Sequence, residues 1–501
     1  MKDIEELGFK ELYGSRHLKL KEELNVSENT LNYCNTLIEY ILENHQCLTK
    51  KQLDMKMNKT AKDNCINKKP RNFIINYIVK QKIDNEEINE KEYNILNQFL
   101  LSKSCRSQSG ILQIAIMTSA GDFSCAYDCY YCPKQEGMPR SYVAEGPSAR
   151  RAIMMSFDTI GQFYERASSY ALNGHPVDKI EIIVLGGTWD SYPIDYQRKF
   201  VRDVYRAANT FYMVDCDLKN RNYTMESEIK MNENALCKII GFTIETRPDQ
   251  ISKEQIKRLL SYGVTRVQIG IQHTNNKILK KINRQCPIEK SYLAIYLLKE
   301  AGLKVQTHWM PNLPGATPQL DKEMFDELNF NHMLKSDDIK IYPTIVTKTS
   351  EKDNTQVYTV IEEWYNEGKY KPYSNSQLNE VLMYGKDNMD ESTRISRVFR
   401  DVPMGNIKGG ANVPNLREVL HKNMAEEGLH CSCIRCHEVG NRTVNPRDIK
   451  LRVKENKESF SKEYFISMVS YIDNIEIEEN RVLHGFIRLR IPKMEKDMKI
   501  E

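Results

Sequence analysis

The sequence has no apolar run long enough to span a bilayer. Predominantly apolar stretches such as Ile180–Leu185 fall far short of the ~18–20 residues a membrane helix requires. The first ten residues carry Asp3, Glu5 and Glu6 and no apolar segment, so no secretory leader is expected. A soluble, cytoplasmic chain with no membrane partner is therefore expected. Excess charge is missing too. Lys and Arg number 72 against 68 Asp and Glu, a net +4, which excludes a global polycation but not a locally basic face. There is no internal repeat and no low-complexity tract. What remains is a chain of 501 residues, 40% hydrophobic, enough for substantial cores. At ~100–200 residues per domain it holds roughly three units. The 13 cysteines are an odd count, and six of them fall in two tight clusters. That pattern reads as metal chemistry in a reducing compartment rather than a disulfide framework.

Residues 1–100 read as helical. Leu31, Ile38, Tyr40, Ile41 and Leu42 recur at helical spacing, as do Phe73, Ile74, Tyr77 and Ile78. Between them, Lys50 to Arg71 carries eight basic residues against Asp54 and Asp63, either a solvated face or a phosphate-binding one. From residue 108 short β-branched runs alternate with helical patterns. The runs are Ile111–Met117, Ile180–Leu185, Ile239–Ile244, Val264–Ile271, Val305–Met310 and Ile339–Ile345. The helices are Ala152–Leu172, Tyr196–Ala208, Lys253–Tyr262, Ile288–Ala301 and Leu320–Leu334. Alternation of this kind predicts an α/β fold, a parallel sheet closed into a partial (βα)6 barrel, with its chemistry at the C-terminal strand ends. The expected domains are 1–100 helical, 101–350 barrel, 351–455 linker and 456–501 a small β element. That last element pairs Tyr464–Ile472 with Val482–Ile491 across the acidic turn Asp473–Asn480.

The loop after the first run reads Ser124-Cys-Ala-Tyr-Asp-Cys-Tyr-Tyr-Cys-Pro133, a Cys-x3-Cys-x2-Cys spacing on Cys125, Cys129 and Cys132. Three thiolates on one short loop suit three irons of a [4Fe–4S] cluster whose fourth iron stays open for S-adenosylmethionine. A zinc site is the alternative, but structural zinc takes four protein ligands and no fourth is near. The later strand ends agree. Gly186, Gly187 and Thr188 end the second run, where bare backbone admits a ligand. Glu245, Thr246 and Arg247 end the third: the carboxylate suits a ribose and the guanidinium a methionine carboxylate. Gln268, Gln272 and His273 border the fourth, and His308 lies in the fifth.

With these residues in view, the chain resembles the catalytic subunit of Elongator, a radical-SAM family that modifies tRNA uridine. Matching stretches include Arg106–Ile111, the cysteine loop, Val177–Thr188, Gly241–Asp249, Thr265–Gln272 and Met310–Pro314. They continue with Lys340–Thr344, Arg397–Pro403, Asn415–Arg417 and Arg435–Gly440. The match runs in order from about residue 70 to about 490. The resemblance implies modification at C5 of the wobble uridine (U34) of tRNA, with acetyl-CoA as carbon source. It places Lys179 on acetyl-CoA at the radical site and Lys340 and Tyr342 beside the same cavity. It also implies a C-terminal acetyltransferase domain of the GNAT type. Such a domain needs a glycine-containing loop at a helix N-terminus for the CoA pyrophosphate, and after Gly440 the sequence has one glycine, Gly485. Residues 456–501 are thus expected to be a remnant of that domain, with a separate acetyltransferase or Elongator-like subunits as partners.

The second cluster, Cys431-Ser-Cys433-Ile-Arg-Cys436-His437, packs three cysteines and a histidine into seven residues. Thiolates that close repel unless a metal neutralises them, and tetrahedral zinc on Cys431, Cys433, Cys436 and His437 fits, with His430 and His421 as alternative fourth ligands. Arg394, Arg397, Arg400, Lys408 and Arg417 lie near it in sequence and suit either tRNA phosphates or ion pairs with Asp401 and Glu418. Two other readings fit the same residues: radical-SAM chemistry on another substrate, and a noncatalytic tRNA-binding scaffold.

Overall fold

The computed structural model describes residues 8–21, 24–121, 123, 125–214, 222–348, 357–400, 402, 404–413, 415–457 and 461–492. Ser124 of the cysteine loop, Asp401 and Pro403 beside the basic set, and the charged tail after Pro492 lie outside the described residues. Among the described residues no helix is long and apolar enough to cross a membrane. The chain forms two compact units, 1–118 with 151–183 and 194–242, and 119–150 with 184–193 and 243–501.

The first unit opens with five helices, α1 (Phe9–Tyr13), α2 (Glu28–Asn44), α3 (Lys50–Asp63), α4 (Asn72–Asp84) and α5 (Glu90–Leu100). Their starts are fixed locally. Thr49 and Gln52 form a reciprocal capping box on α3, and Asn89 and Glu92 form one on α5, each satisfying two otherwise orphaned donors. Tyr33, Leu37, Ile41, Leu53, Met57, Ile75, Ile78 and Leu96 close one core. The apolar stripe of α3 is Leu53, Met57 and Ala61, so its lysines are left on the outer side.

The main sheet comprises β1 (Leu112–Met117), β2 (Lys179–Leu185), β3 (Lys238–Thr246), β4 (Arg266–Gln272), β5 (Lys304–Trp309), β6 (Asp338–Ile341) and β8 (Arg394–Arg397), neighbours in that order. Every pairing from β3 to β8 is parallel, the half-barrel the alternating pattern predicts. A short ribbon pairs β7 (Ile345–Thr347) with β9 (Ile407–Gly410), and an antiparallel sheet joins β10 (Lys450–Lys457), β11 (Ser461–Tyr471) and β12 (Arg481–Pro492).

Three features depart from the sequence reading. The single helix expected over 152–172 is two, Pro147–Met154 and Thr159–Leu172, separated where Ser156 (φ 51°) and Phe157 (φ 58°) turn left-handed. Strand β8 escaped notice because it begins and ends on arginine. Strand β10 lies where a linker was expected, since its polarity is inverted. Leu451 and Val453 face outward, while Arg452 and Lys454 meet Glu391 and Asp390.

Candidate active site and second cysteine centre

Within the second unit, the cysteine loop and the C-terminal ends of β2 to β5 surround an open cavity. It is lined by Cys125, Cys129 and Cys132, by Gly187 and Thr188, by Glu245 and Arg247, and by Gln268, Gln272, Arg284 and His308. Gly187 has φ 82°, and a Cβ there would fall 2.9 Å from the carbonyl oxygen of Arg140, so only glycine lets the strand end approach the loop. The Thr188 hydroxyl lies 3.3 Å from Cys125 Sγ. At the end of β4 a register shift and a left-handed Gln272 (φ 78°) turn that side chain into the cavity wall. A non-glycine residue in this conformation is uncommon and gathers at functional sites.

Two guanidiniums address one sulfur. Arg247 Nη1 lies 3.6 Å and Arg284 Nη1 3.8 Å from Cys129 Sγ. Burial works to raise the Cys129 thiol, but Arg284 and Arg247 outweigh it and hold the group below the ordinary thiol range. Cys132 has less such help and is pushed up, by burial first and then by Cys129. Arg247 itself is largely occupied. It donates to both Asp249 oxygens at 2.9 Å and to the Arg284 carbonyl at 2.8 Å, and it stacks on Tyr127 at 3.5 Å. Four of its donor directions are thus engaged, so it fixes the loop instead of presenting a free fork. Arg284, which sequence reasoning missed, is buried, and its Nε has no partner among the described residues; the same holds for Gln272 Oε1. Buried polar atoms left open on a cavity wall fit a polar ligand.

Glu245 accepts from the Tyr142 hydroxyl at 2.7 Å. Beside the cavity, Lys340 Nζ donates to Gln268 Oε1 at 2.6 Å, and His308 Nε2 lies 3.1 Å from the same oxygen. Lysine can only donate, so the Gln268 atom between them is the oxygen and His308 Nε2 carries the proton. Burial, then the charges of Lys340, Arg400, Arg397 and Arg284, presses His308 well below the usual imidazole range. Burial also brings Lys340 down to about 8, against the pull of Glu245. The Tyr342 ring meets His308 edge-on at 5.5 Å. Lys340 and Tyr342, both partly exposed, thus stand beside Gln268 and His308, which line the cavity.

The structure does not bring Lys179 to this cavity. It is the first residue of β2, exposed and paired with Asp178 at 3.0 Å. The remaining six residues of the strand, at ~3.3 Å each, separate it from Gly186.

The second cluster is tighter. Cys431, Cys433 and Cys436 have sulfurs within 4.8 Å of one another, the one such set among the described residues. His437, the expected fourth ligand, is turned away: Nδ1 lies 2.7 Å from the Arg481 carbonyl and Nε2 3.1 Å from that of Cys431. His430 faces Glu479 at 3.5 Å. His421, from the helix Leu416–Glu426, instead places Nε2 3.4 Å from Cys436 Sγ. Burial, then Lys386 and Arg417, brings it down to about 4, so its imidazole is neutral and has a lone pair to offer. Of the nearby basic set, most are used internally. Arg394 pairs with Glu438, Arg400 donates to Ser141, Lys408 meets Glu362 at 3.4 Å and Arg417 donates to the Ile395 carbonyl at 2.7 Å. On α3, by contrast, Lys50, Lys51, Lys59 and Lys62 are exposed, and among the described residues of the basic stretch only Lys69 meets a carboxylate, Asp54 at 3.7 Å.

The chain matches the Radical SAM superfamily over residues 123–328 and the Radical SAM C-terminal domain over 336–426. The tRNA uridine(34) acetyltransferase of Methanocaldococcus infernus is 35% identical over 415 residues, 80% of this chain and 73% of that protein. Elongator complex protein 3 of Homo sapiens is 29% identical over 487 residues, 94% of this chain and 82% of that protein. A solved structure of the archaeal Methanocaldococcus infernus Elongator protein, with its N-terminus deleted, superposes with a TM-score of 0.62 at 32% identity, covering 78% of this chain and 80% of that one. Superfamily membership implies a [4Fe–4S] cluster and S-adenosylmethionine, and the cavity's three thiolates and unsatisfied polar atoms fit both. The chain belongs to the radical-SAM family of the tRNA uridine(34) acetyltransferases and Elongator complex protein 3.

Proposed function

We propose that this protein is a radical-SAM enzyme that modifies the wobble uridine of tRNA at C5. The observation that carries the reading is the convergence of Cys125, Cys129 and Cys132 with the β2–β5 strand ends on one polar cavity. When bound to those thiolates, the cluster supplies the electron that cleaves S-adenosylmethionine to a 5′-deoxyadenosyl radical. The chain's own residues hold and orient. Gly186, Gly187 and Thr188 offer backbone to the cofactor's polar end, Glu245 suits its ribose, and Gln272 and Arg284 suit its amino-acid end. Arg247 locks the cysteine loop through Asp249 and Tyr127. Lys340, through Gln268, fixes the tautomer of His308, whose neutral ring faces the cavity.

Exposed lysines on α3 suit tRNA phosphates, with affinity that falls as salt rises. Anticodon-loop bases are single-stranded, so presenting one to a cavity costs little unstacking. Acetyl-CoA is the carbon source in this reading, handled by a separate acetyltransferase or by Elongator-like subunits. Zinc on Cys431, Cys433, Cys436 and His421 staples the loop 430–437 to the helix Leu416–Glu426.

The test uses anaerobic, iron-reconstituted protein and quantifies 5′-deoxyadenosine from S-adenosylmethionine, with and without tRNA, acetyl-CoA and an acetyltransferase added in trans. Formation that rises with tRNA is the expected result. Formation indifferent to tRNA would remove tRNA as substrate, and none at all, with the cluster visible by spectroscopy, would remove the enzyme reading.

A further inference from the structure

Lys386, on the helix Asn375–Asp387, is completely buried. A buried ammonium normally sits on a carboxylate, because an isolated charge away from water is costly. Among the described residues, no carboxylate lies within ion-pairing distance of it. Its Nζ faces Cys436 Sγ at 3.7 Å and His421 Nε2 at 3.4 Å. The neighbouring Asp387 is turned to the backbone N–H of His430 at 3.0 Å. The lysine is thus aimed at the cysteine trio and at nothing else of opposite charge.

Charge arithmetic explains why. A divalent zinc with three thiolates and one neutral imidazole carries a net charge of minus one, and Cys431 and Cys433 are buried. A net charge enclosed in protein needs a partner just as the bare lysine does. We propose that Lys386 is the built-in counter-charge of this centre, so that zinc, three thiolates, His421 and Lys386 together form an electrically neutral unit whose inner side, Cys431, Cys433 and Lys386, is buried. This rests on the zinc reading and adds a residue to it. Lysine is a positioning group here. Its ammonium donates to Cys436 from outside the coordination sphere, and partners in that position typically change metal affinity about 10–100-fold.

The experiment measures zinc and iron per chain by elemental analysis, then zinc affinity by competition with a chromophoric chelator, on the full chain. Wild type is expected to hold one zinc. Lys386→Met should lower zinc affinity by at least about tenfold without changing the iron content, and Lys386→Arg should restore most of it. Cys436→His supplies the sharper arm. Two thiolates and two imidazoles make a neutral zinc centre that needs no lysine, so Lys386→Met should cost little in that background. This double variant also decides the matter if Lys386→Met alone fails to fold. Wild type that holds no zinc, even after reconstitution, would end the zinc reading itself. Unchanged affinity in Lys386→Met, or an equal loss in the Cys436→His background, would overturn the counter-charge and leave Lys386 a packing residue.

Discussion

The second unit holds two sets of three cysteines, and they differ in openness and in what balances their charge. Cys125, Cys129 and Cys132 border an open cavity, and the guanidiniums of Arg247 and Arg284 both reach Cys129. Cys431, Cys433 and Cys436 lie sulfur to sulfur within 4.8 Å, with a single buried lysine and a neutral imidazole. Open sets leave room for a substrate beside the metal, whereas closed sets spend every position on protein. Uneven cationic pressure on one sulfur suits an asymmetric cofactor with one exposed corner. Balanced charge around a tight trio suits a metal that only holds structure.

The largest effect should come from exchanging damage between the two. Cys129→Ala is expected to reduce 5′-deoxyadenosine formation to background and to lower iron content while zinc stays. Cys433→Ala should do the reverse to the metals. If removing Cys129 leaves formation intact, or strips zinc, the division of labour is wrong.

Next comes Arg284→Met, which removes one of the two cations beside Cys129. Formation of 5′-deoxyadenosine should fall about 10–100-fold with iron retained, and Arg284→Lys should recover part of it. An unchanged rate would assign the whole effect to Arg247 and make Arg284 a structural brace for the Gly270 carbonyl, which it also contacts.

A smaller and pH-dependent effect belongs to Lys340. Its pKa is lowered by burial from 10.5 to about 8, so between those values the unfolded chain holds more protons than the folded one. Stability therefore rises with pH across that window, and at pH 7 the buried charge costs about 3 kcal/mol at most. Lys340→Met should be more stable than wild type in urea at pH 7, with the gain shrinking from pH 8 upward. A gain that is flat with pH would mean that burial does not depress this lysine.

What the sequence made legible was what lies close along the chain. The Cys-x3-Cys-x2-Cys loop, the β-branched runs and the Gly187 turn all depend on spacing of a few residues, and the structure keeps them. Arg284 escaped selection because it acts on a sulfur 155 residues away, a relation that only tertiary packing creates, and for the same reason adjacency could not rank His421 among the three candidate histidines. His437 looked better than His421 by adjacency alone, yet helix Ile434–His437 points both its ring nitrogens at carbonyls. Strand β10 was hidden because its inward residues are charged and find their partners on the 390–391 turn, the opposite of the apolar-in pattern that identifies a strand.

The smallest expected effect sharpens the comparison from outside both centres. Lys179 matches a motif of the resembling family, yet here it is exposed at the start of β2 and pairs with the adjacent Asp178. An exposed pair of this kind contributes about 0–1 kcal/mol, so Lys179→Ala should leave both folding and metal content unchanged. Its site lies at the opposite end of the strand from Gly186. S-adenosylmethionine cleavage without acyl donor should consequently remain within about twofold of wild type, since nothing in the cavity touches the lost group. A selective loss only when tRNA and acetyl-CoA are both present would show that the donor approaches from that side. A loss of the bare cleavage reaction would instead mean that the N-terminal end of β2 communicates with the cysteine loop, and the cavity as drawn would be incomplete.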